Sequence, residues 1–339
     1  MNALDVAVGQ PSGRPVNGRQ LAVGAGAAAL VLLPLIWIDP TTYLVLTVAG
    51  LAMGMLLFLT AVGLTLIFGL MDVLNLAHGA FFAWGGYVGF SVLRRLDVLG
   101  WVETGSLGQS LGSTLLALAA AAGVGAVLGV VVERVVVRRV YGDHLKQILI
   151  TVGLSLVMAE VIKIVWGPND EMVLVPQALQ GSYDLFDVVI NRFRVLAVVV
   201  GVAVFGGLHL LLRRTRLGLV VRAGVENREI VEVMGYDIGR IFTAVFAGGA
   251  ALAAVGGAMW AVFREQIHPG MGDENLILAL IVVIIGGMGS VTGSFVGAVV
   301  VGLAFNYVSF LVPKLALGVN ILIMVIVLLL RPQGLMGQE

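Results

Sequence analysis

Asn75 and His78 stand three residues apart in the stretch NLAHGAFFAWGGY, residues 75–87, inside a long apolar region. On a continuing helix that spacing places both side chains on one face. An amide and an imidazole supply hydrogen-bond donors and acceptors, which suits a water-filled path or a polar solute. The competing reading is an interhelical hydrogen bond that only packs a bundle. Gly79, Gly85, Gly86 and Gly89 follow in or just beyond the same stretch. Three more ionisable residues, Asp72, Glu160 and His209, fall in apolar segments. A charge near the bilayer centre costs about 2.5–3.5 kcal/mol on insertion scales, so each needs a partner or a wet surface. Asp72 flanks Asn75. Glu160 is three residues before Lys163 near a segment end, which favours a local ion pair over a proton relay. His209 lies one turn before Arg213 and reads as an interfacial histidine.

No catalytic constellation accompanies these groups. The chain contains no His-Glu-x-x-His and no Gly-x-Ser-x-Gly, and none of its three lysines follows a GxxxxG run. The phosphate-cradling loop of ATPases is therefore missing. The absence of cysteine excludes a disulfide, a thiolate metal site and a cysteine nucleophile. A formal net charge of zero gives a nucleic-acid partner no electrostatic support. No catalytic residue, no metal site and no cofactor bound by the chain itself is expected.

The elements that must position Asn75 and His78 are membrane helices. The 339 residues are 59% hydrophobic and only 12% charged, against about 25% charge in an ordinary soluble domain. The mean hydropathy of +1.04 agrees. A hydrocarbon core about 30 Å thick needs roughly 20 apolar residues per helix. Ten segments qualify: 21–38, 44–70, 73–93, 111–132, 147–166, 194–212, 241–263, 276–293, 295–312 and 315–330. Only GGMGSVTGS separates the eighth from the ninth, so one of that pair could be re-entrant. The expected fold is an all-α, polytopic membrane helix bundle of eight to ten transmembrane segments.

Residues 1–20 read as a polar cytoplasmic tail and 21–339 as a single transmembrane domain. Six arginines lie in the 213–240 loop and four basic residues in 133–146. Placing both loops in the cytoplasm puts both termini inside and leaves Arg94 and Arg95 as the one violation of the rule.

Forty-six glycines recur in small-xxx-small patterns, among them Gly125 and Gly129, Gly249, Ala253 and Gly257, and Gly289, Gly293 and Gly297. Small residues let helix backbones approach in lipid, where apolar burial gives no drive. Two stretches read instead as helix breaks, LMDVLNLAHG (70–79) and IGGMGSVTGS (285–294). Unwound backbone at membrane depth is tolerated only beside a cavity or within protein, and interrupted segments in the two halves point to a transporter's substrate site. The translocation path is accordingly expected at Asp72, Asn75, His78, Gly79, Gly286, Gly287, Gly289 and Ser290.

The 213–240 loop has room for a short cytoplasmic helix, RAGVENREIVEVMG. Arg222, Glu226, Arg228, Glu229 and Glu232 give it a charged face, and Val225, Ile230, Val233 and Met234 an apolar one. Gly235 fits the C-terminal cap. Such a helix suits docking on a partner; the alternative is a loop that only obeys the charge rule.

These stretches together resemble the permease subunits of high-affinity branched-chain amino acid ABC importers. The resemblance rests on GLTLIFGLMDVLNLAHGAFFAWGGY (63–87), ITVGLSLVMAE (150–160), residues 218–261, VVIIGGMGSVTGSFVGAVVVG (282–302) and RPQGLMG (331–337). Where family members often carry an acidic residue after His-Gly, this chain has Ala80. The resemblance implies a permease of the bacterial inner membrane that carries leucine, isoleucine and valine by alternating access. Urea, short amides or other amino acids are alternative cargoes. It further implies two cytoplasmic ATPase subunits that hydrolyse ATP, a second homologous permease and an extracytoplasmic substrate-binding protein. By position, Arg222, Glu226, Asn227 and Gly235 would belong to the ATPase-coupling loop. A stand-alone secondary transporter or channel is the competing class, and one Asp, one Glu and two His are thin material for a proton pathway.

Overall fold

A computed structural model describes residues 33–103, 105–185, 188–215, 218–220, 223, 231 and 233–337. The 1–20 tail and most of the 21–38 segment lie outside the described residues. Among the described residues nine long helices follow one another: α1 (Pro40–Met71), α2 (His78–Val98), α3 (Leu107–Val135), α4 (His144–Trp166), α5 (Arg192–Arg214), α6 (Ile238–Arg264), α7 (Met271–Gly286), α8 (Val291–Leu311) and α9 (Ala316–Leu330). Each overlaps one expected segment; the largest difference is at α7, which ends at Gly286 and not at 293 because the glycine turn at 287–289 stops it. Six of them, α1, α3, α4, α5, α6 and α8, are long and apolar enough to cross a membrane. α7 and α9 are short, at 16 and 15 residues.

Helix α1 starts where Asp39 accepts a hydrogen bond from the Thr42 backbone N–H at 2.9 Å and Pro40 occupies the first turn. That is the preferred chemistry of a helix N-terminus. The Thr41 hydroxyl, helped by Thr42, draws the exposed Asp39 carboxyl down to about 2. The 32 residues of α1 span about 48 Å at 1.5 Å per residue, more than the hydrocarbon thickness. Residues 52–67 of α1 are buried without a gap, so this helix is the axis of the bundle. α6 packs beside it and also contacts α2 and α3, while α8 covers another side of α1.

The peripheral helices show the opposite pattern. Leu149, Leu156, Val157 and Ile164 of α4, Val199 and Leu210 of α5, and Leu322 and Leu329 of α9 are exposed. A soluble protein would bury such a surface; lipid accepts it.

Close backbone approach sets the central packing. Gly85 of α2 lies against Ala254 of α6, and Gly257 of α6 lies against the Phe82 carbonyl of α2. Gly125 and Gly129 of α3 meet Ala247, Ala250 and Ala254 of α6 in the same manner. The small-xxx-small patterns are thus packing faces. Dispersion between close backbones is the attraction available to them.

Short strands interrupt the all-helical plan at one end. Glu171–Met172 (β1) pairs antiparallel with Gln266–Ile267 (β4), and Ser182–Leu185 (β2) with Val188–Asn191 (β3). The Gln177 N–H donates to the Val102 carbonyl at 2.9 Å. These bonds tie together the α2–α3, α4–α5 and α6–α7 connections. The opposite end carries the turns after α1, α3 and α7 and the C-terminal segment.

Replacing Gly257 by Val should force α2 from α6. Overpacking costs about 1–3 kcal/mol, so the detergent-solubilised variant should melt several degrees lower. A thermal unfolding scan against wild type checks this.

Candidate functional site

The first expected break is real. α1 stops at Met71, and Asp72 turns into the left-handed region at φ 52°, ψ 40°, its N–H bonded to the Phe68 carbonyl at 2.9 Å. Among non-glycine residues Asp is one of the few that adopt this conformation readily. Residues 72–77 are not helical, and α2 restarts at His78. Asn75 and His78 therefore do not share a helical face. Asn75 lies in the link and His78 opens the next helix.

This link is buried although it lacks helical hydrogen bonds. Val73, Asn75, Ala77 and His78 are each 0–1% exposed. Buried N–H groups without partners are costly in hydrocarbon, and α4 supplies the partners. Gln147 Oε1 accepts from Leu74 N at 3.2 Å, and Thr151 Oγ1 accepts from Leu76 N at 3.2 Å. Asn75 Oδ1 accepts from Ala77 N at 3.1 Å. Asn75 is thus the internal cap of its own link.

The His78 ring reaches α1, with Nε2 3.0 Å from the Thr60 carbonyl oxygen. A carbonyl can only accept, so Nε2 carries the proton and Nδ1 presents a lone pair. Phe81 sits edge-on to the ring at 6.3 Å. Gly63 of α1 makes room for the imidazole, and Gly79 lies against the Gly272 carbonyl of α7. Around this link, Asn75 Nδ2, His78 Nδ1, Thr60 Oγ1 and Asn275 Oδ1 are buried and have no hydrogen-bond partner among the described residues. Asp72 is placed differently. Its carboxylate is exposed and lies 3.5 Å from His144 Nε2 at the start of α4.

The second expected break is also real, and it packs against the end of α1 just before the first. α7 ends at Gly286; Gly287 and Gly289 take φ values of 101° and 82°, which a side chain would strain. Ser290 then caps α8, its hydroxyl accepting from Gly293 N at 3.0 Å. Gly69, at the end of α1, lies against Gly289. Thr65 and Ser294 share a buried hydroxyl hydrogen bond of 2.6 Å. The C-terminal RPQGLMG stretch folds back on the same turn, with Leu335 N donating to Ile285 O at 2.8 Å and Met336 N to Gly286 O at 3.0 Å. Two breaks from opposite halves of the chain thereby lie at one end of the bundle.

Of the expected coupling residues, Arg222, Glu226 and Asn227 lie outside the described residues. Gly235 is described: φ is 86°, and Tyr236 N donates to Val231 O at 3.2 Å. That is the geometry of a helix C-terminus closed by glycine. Glu160 and Lys163 form the expected local ion pair at 2.6 Å. His209 packs on the Phe205 ring at 5.7 Å. Among the described residues no three His, Asp or Glu side chains converge on a metal-ion position.

The sequence reading passed over four buried polar residues. Gln147 and Thr151, with Ser155, form a polar i, i+4, i+8 stripe on α4, a periodicity visible in the sequence. Glu133 is fully buried; it accepts from Tyr141 Oη at 2.6 Å and from Thr243 Oγ1 at 2.7 Å. Its place beside Arg134 makes it look like part of a charged loop.

Thr151→Val removes the acceptor of the partly buried Leu76 N–H at nearly constant volume. An unsatisfied buried donor costs about 1–3 kcal/mol. The variant should melt lower than wild type in detergent, and a Ser155→Ala control at the rim of the same stripe should shift less; paired melting curves test this.

Residues 46–328 match the family model described as branched-chain amino acid transport system / permease component. The chain is 28% identical to the high-affinity branched-chain amino acid transport system permease protein BraD of Pseudomonas aeruginosa, over 87% of this chain and 96% of that one. It is 27% identical to the corresponding permease protein LivH of Escherichia coli, over 85% of this chain and 94% of that one. LivH of Salmonella typhimurium matches to the same extent. No solved structure matches the chain.

Proposed function

Because this chain belongs to the branched-chain amino acid transport system permease family, we propose that it is the membrane-spanning subunit of an ATP-binding cassette importer for leucine, isoleucine and valine. The observation that carries the reading is the family match over residues 46–328, with both helix breaks inside the matched region. Two cytoplasmic ATPase subunits, a second homologous permease and an extracytoplasmic binding protein complete the machine. ATP is hydrolysed by the ATPases and not by this chain.

All nine long helices cross the membrane in this reading, with residues 21–38 as the tenth segment. α7 and α9 are short, but both pack within the bundle. The end that carries the two breaks faces the cytoplasm, as do both termini. Arg134, Arg138, Arg139, Lys146, Arg213, Arg214, Arg240 and Arg331 gather at that end, while Asp170, Glu171, Glu265, Asp273 and Glu274 mark the other, which fits the rule that basic loops stay inside.

The translocation path runs beside Asp72, Asn75, His78, Gly79, Gly286, Gly287, Gly289 and Ser290. Support comes from the buried, non-helical backbone and the unpartnered Asn75 and His78 atoms, which can meet a polar solute when the break opens. The 213–240 loop, with Arg222, Glu226, Asn227 and Gly235, docks on the ATPases.

A tagged pull-down from native membranes in mild detergent, read by mass spectrometry, tests the assembly. Recovery of ATPase subunits and a second permease supports the importer; recovery of this chain alone, under conditions that preserve known complexes, turns the reading toward a self-sufficient channel or carrier. Glu226→Arg should lose the ATPase in that pull-down while still inserting in the membrane. His78→Leu should keep the complex and slow leucine uptake by about tenfold or more, the equivalent of 1.4 kcal/mol; normal uptake would make His78 a packing residue.

A further inference from the structure

A continuous series of side-chain and backbone contacts runs from the start of α6 to the buried link between α1 and α2. Asp237 caps α6, so α6 is the helix into which the 213–240 loop leads. One turn in, Thr243 donates to Glu133 of α3 at 2.7 Å. The other Glu133 oxygen accepts from Tyr141 at 2.6 Å, and the Tyr141 ring also stands edge-on to Phe242 of α6 at 6.0 Å. The neighbouring Val140 carbonyl accepts from Gln147 Nε2 at 3.3 Å. The same Gln147 amide accepts through Oε1 from Leu74 N, next to Asn75. The end groups of this series are the loop and the break; Thr243, Glu133 and Gln147 are buried, and Phe242, Tyr141, Val140 and Leu74 are partly buried.

We propose that Glu133, Tyr141 and Gln147 form a hydrogen-bonded relay that transmits movement of the 213–240 loop to the unwound link at Asn75 and His78. The proposal rests on the reading of that loop as the ATPase-docking element. A relay needs an element with two discrete arrangements, and Thr243 supplies one. Its hydroxyl has a single proton and two acceptors in reach, Glu133 Oε2 at 2.7 Å and the Gly239 carbonyl of its own helix at 2.9 Å. Bonding to Gly239 releases α6 from Glu133 without orphaning the threonine. Buried Glu133 then loses one of two donors, which weakens its hold on Tyr141's turn. Gln147 is the only link of the series that bonds both that turn and the helix break among the described residues. Below Glu133, Gly129 and Gly125 lie directly against α6, which confines the switch at Thr243 to the end of the α3–α6 contact.

These are positioning residues, so their test is the coupling ratio rather than the rate alone. The assembled complex is reconstituted in proteoliposomes with leucine-loaded binding protein, and labelled leucine taken up per ATP hydrolysed is measured. In Glu133→Gln and in Tyr141→Phe, assembly and stimulated ATP hydrolysis should stay within about twofold of wild type. Uptake per ATP should fall about fivefold or more, the lower end of ordinary coupling between sites. Adding Gln147→Leu to Tyr141→Phe should cause no further fall, because both cut one series. Tyr141→Phe keeps the ring on Phe242 and decides the matter if Glu133→Gln does not assemble. An unchanged uptake per ATP in Tyr141→Phe, or uptake and hydrolysis falling in proportion, would overturn the relay. A wild-type complex without ATP-dependent uptake would overturn the importer reading, and the relay with it.

Discussion

A polypeptide that unwinds inside a membrane must still bond every N–H and C=O it exposes, because hydrocarbon offers no partner. Most of this structure can be read as the consequence of meeting that demand at residues 72–77. The link cannot be an ordinary surface loop, since Val73, Asn75 and Ala77 are buried. It needs a neighbouring helix with polar side chains at the right height, and α4 carries Gln147 and Thr151 there. It needs an internal acceptor, and Asn75 is one. It needs helices close enough to close over it, and Gly63 and Gly79 let α6 and α7 approach. The second break meets the same demand by another route. There the chain's own C-terminal segment returns to bond Ile285 and Gly286.

The consequence for packing is a division between centre and rim. At the centre, α1, α2, α3, α6 and α8 meet through glycine and alanine, and large side chains fill the spaces between crossings. Phe58, for example, is fully buried and stands edge-on to the stacked Phe205 and Phe295 rings, at 6.1 and 5.4 Å. At the rim, α4, α5 and α9 turn Leu, Ile and Val outward. In water that arrangement would be unstable. In lipid the outward residues are neutral, and stability rests on contact density and polar satisfaction within.

Much of this was legible in the sequence. Among the described residues nine of the expected segments overlap helices, six of them long and apolar enough to cross a membrane, because a 20-residue apolar run has few other options in a bilayer. Both breaks were visible as polar or glycine-rich interruptions, and Gly235 as a helix end. What periodicity could not supply was who satisfies whom. Gln147 and Thr151 matter through contacts across more than 70 residues of sequence. Glu133 looked like a loop charge because its partners, Tyr141 and Thr243, are brought to it only by folding. The helical face expected for Asn75 and His78 failed for a local reason. Asp72 takes a left-handed turn that a helical wheel assumes away. That the second break packs on the end of α1 just before the first, through Gly69 and Gly289, follows from the order of the helices in space, which one sequence does not reveal.

The two halves of the first break's polar inventory point in different directions. Its backbone donors at Leu74, Leu76 and Ala77 are paired, so the unwound shape is a stable state. Several of its side-chain atoms have no partner among the described residues: Asn75 Nδ2, His78 Nδ1 and the nearby Thr60 Oγ1. An unmade hydrogen bond of a buried group costs about 1–3 kcal/mol. A rearrangement that gives even two of these atoms a partner therefore gains a few kcal/mol toward its own cost. That is the scale on which a two-state element can be shifted from one population to the other. A break whose Leu74, Leu76 and Ala77 donors are bonded while these side-chain atoms are not is held in place yet inexpensive to move, which suits the proposed role beside a path that opens and closes.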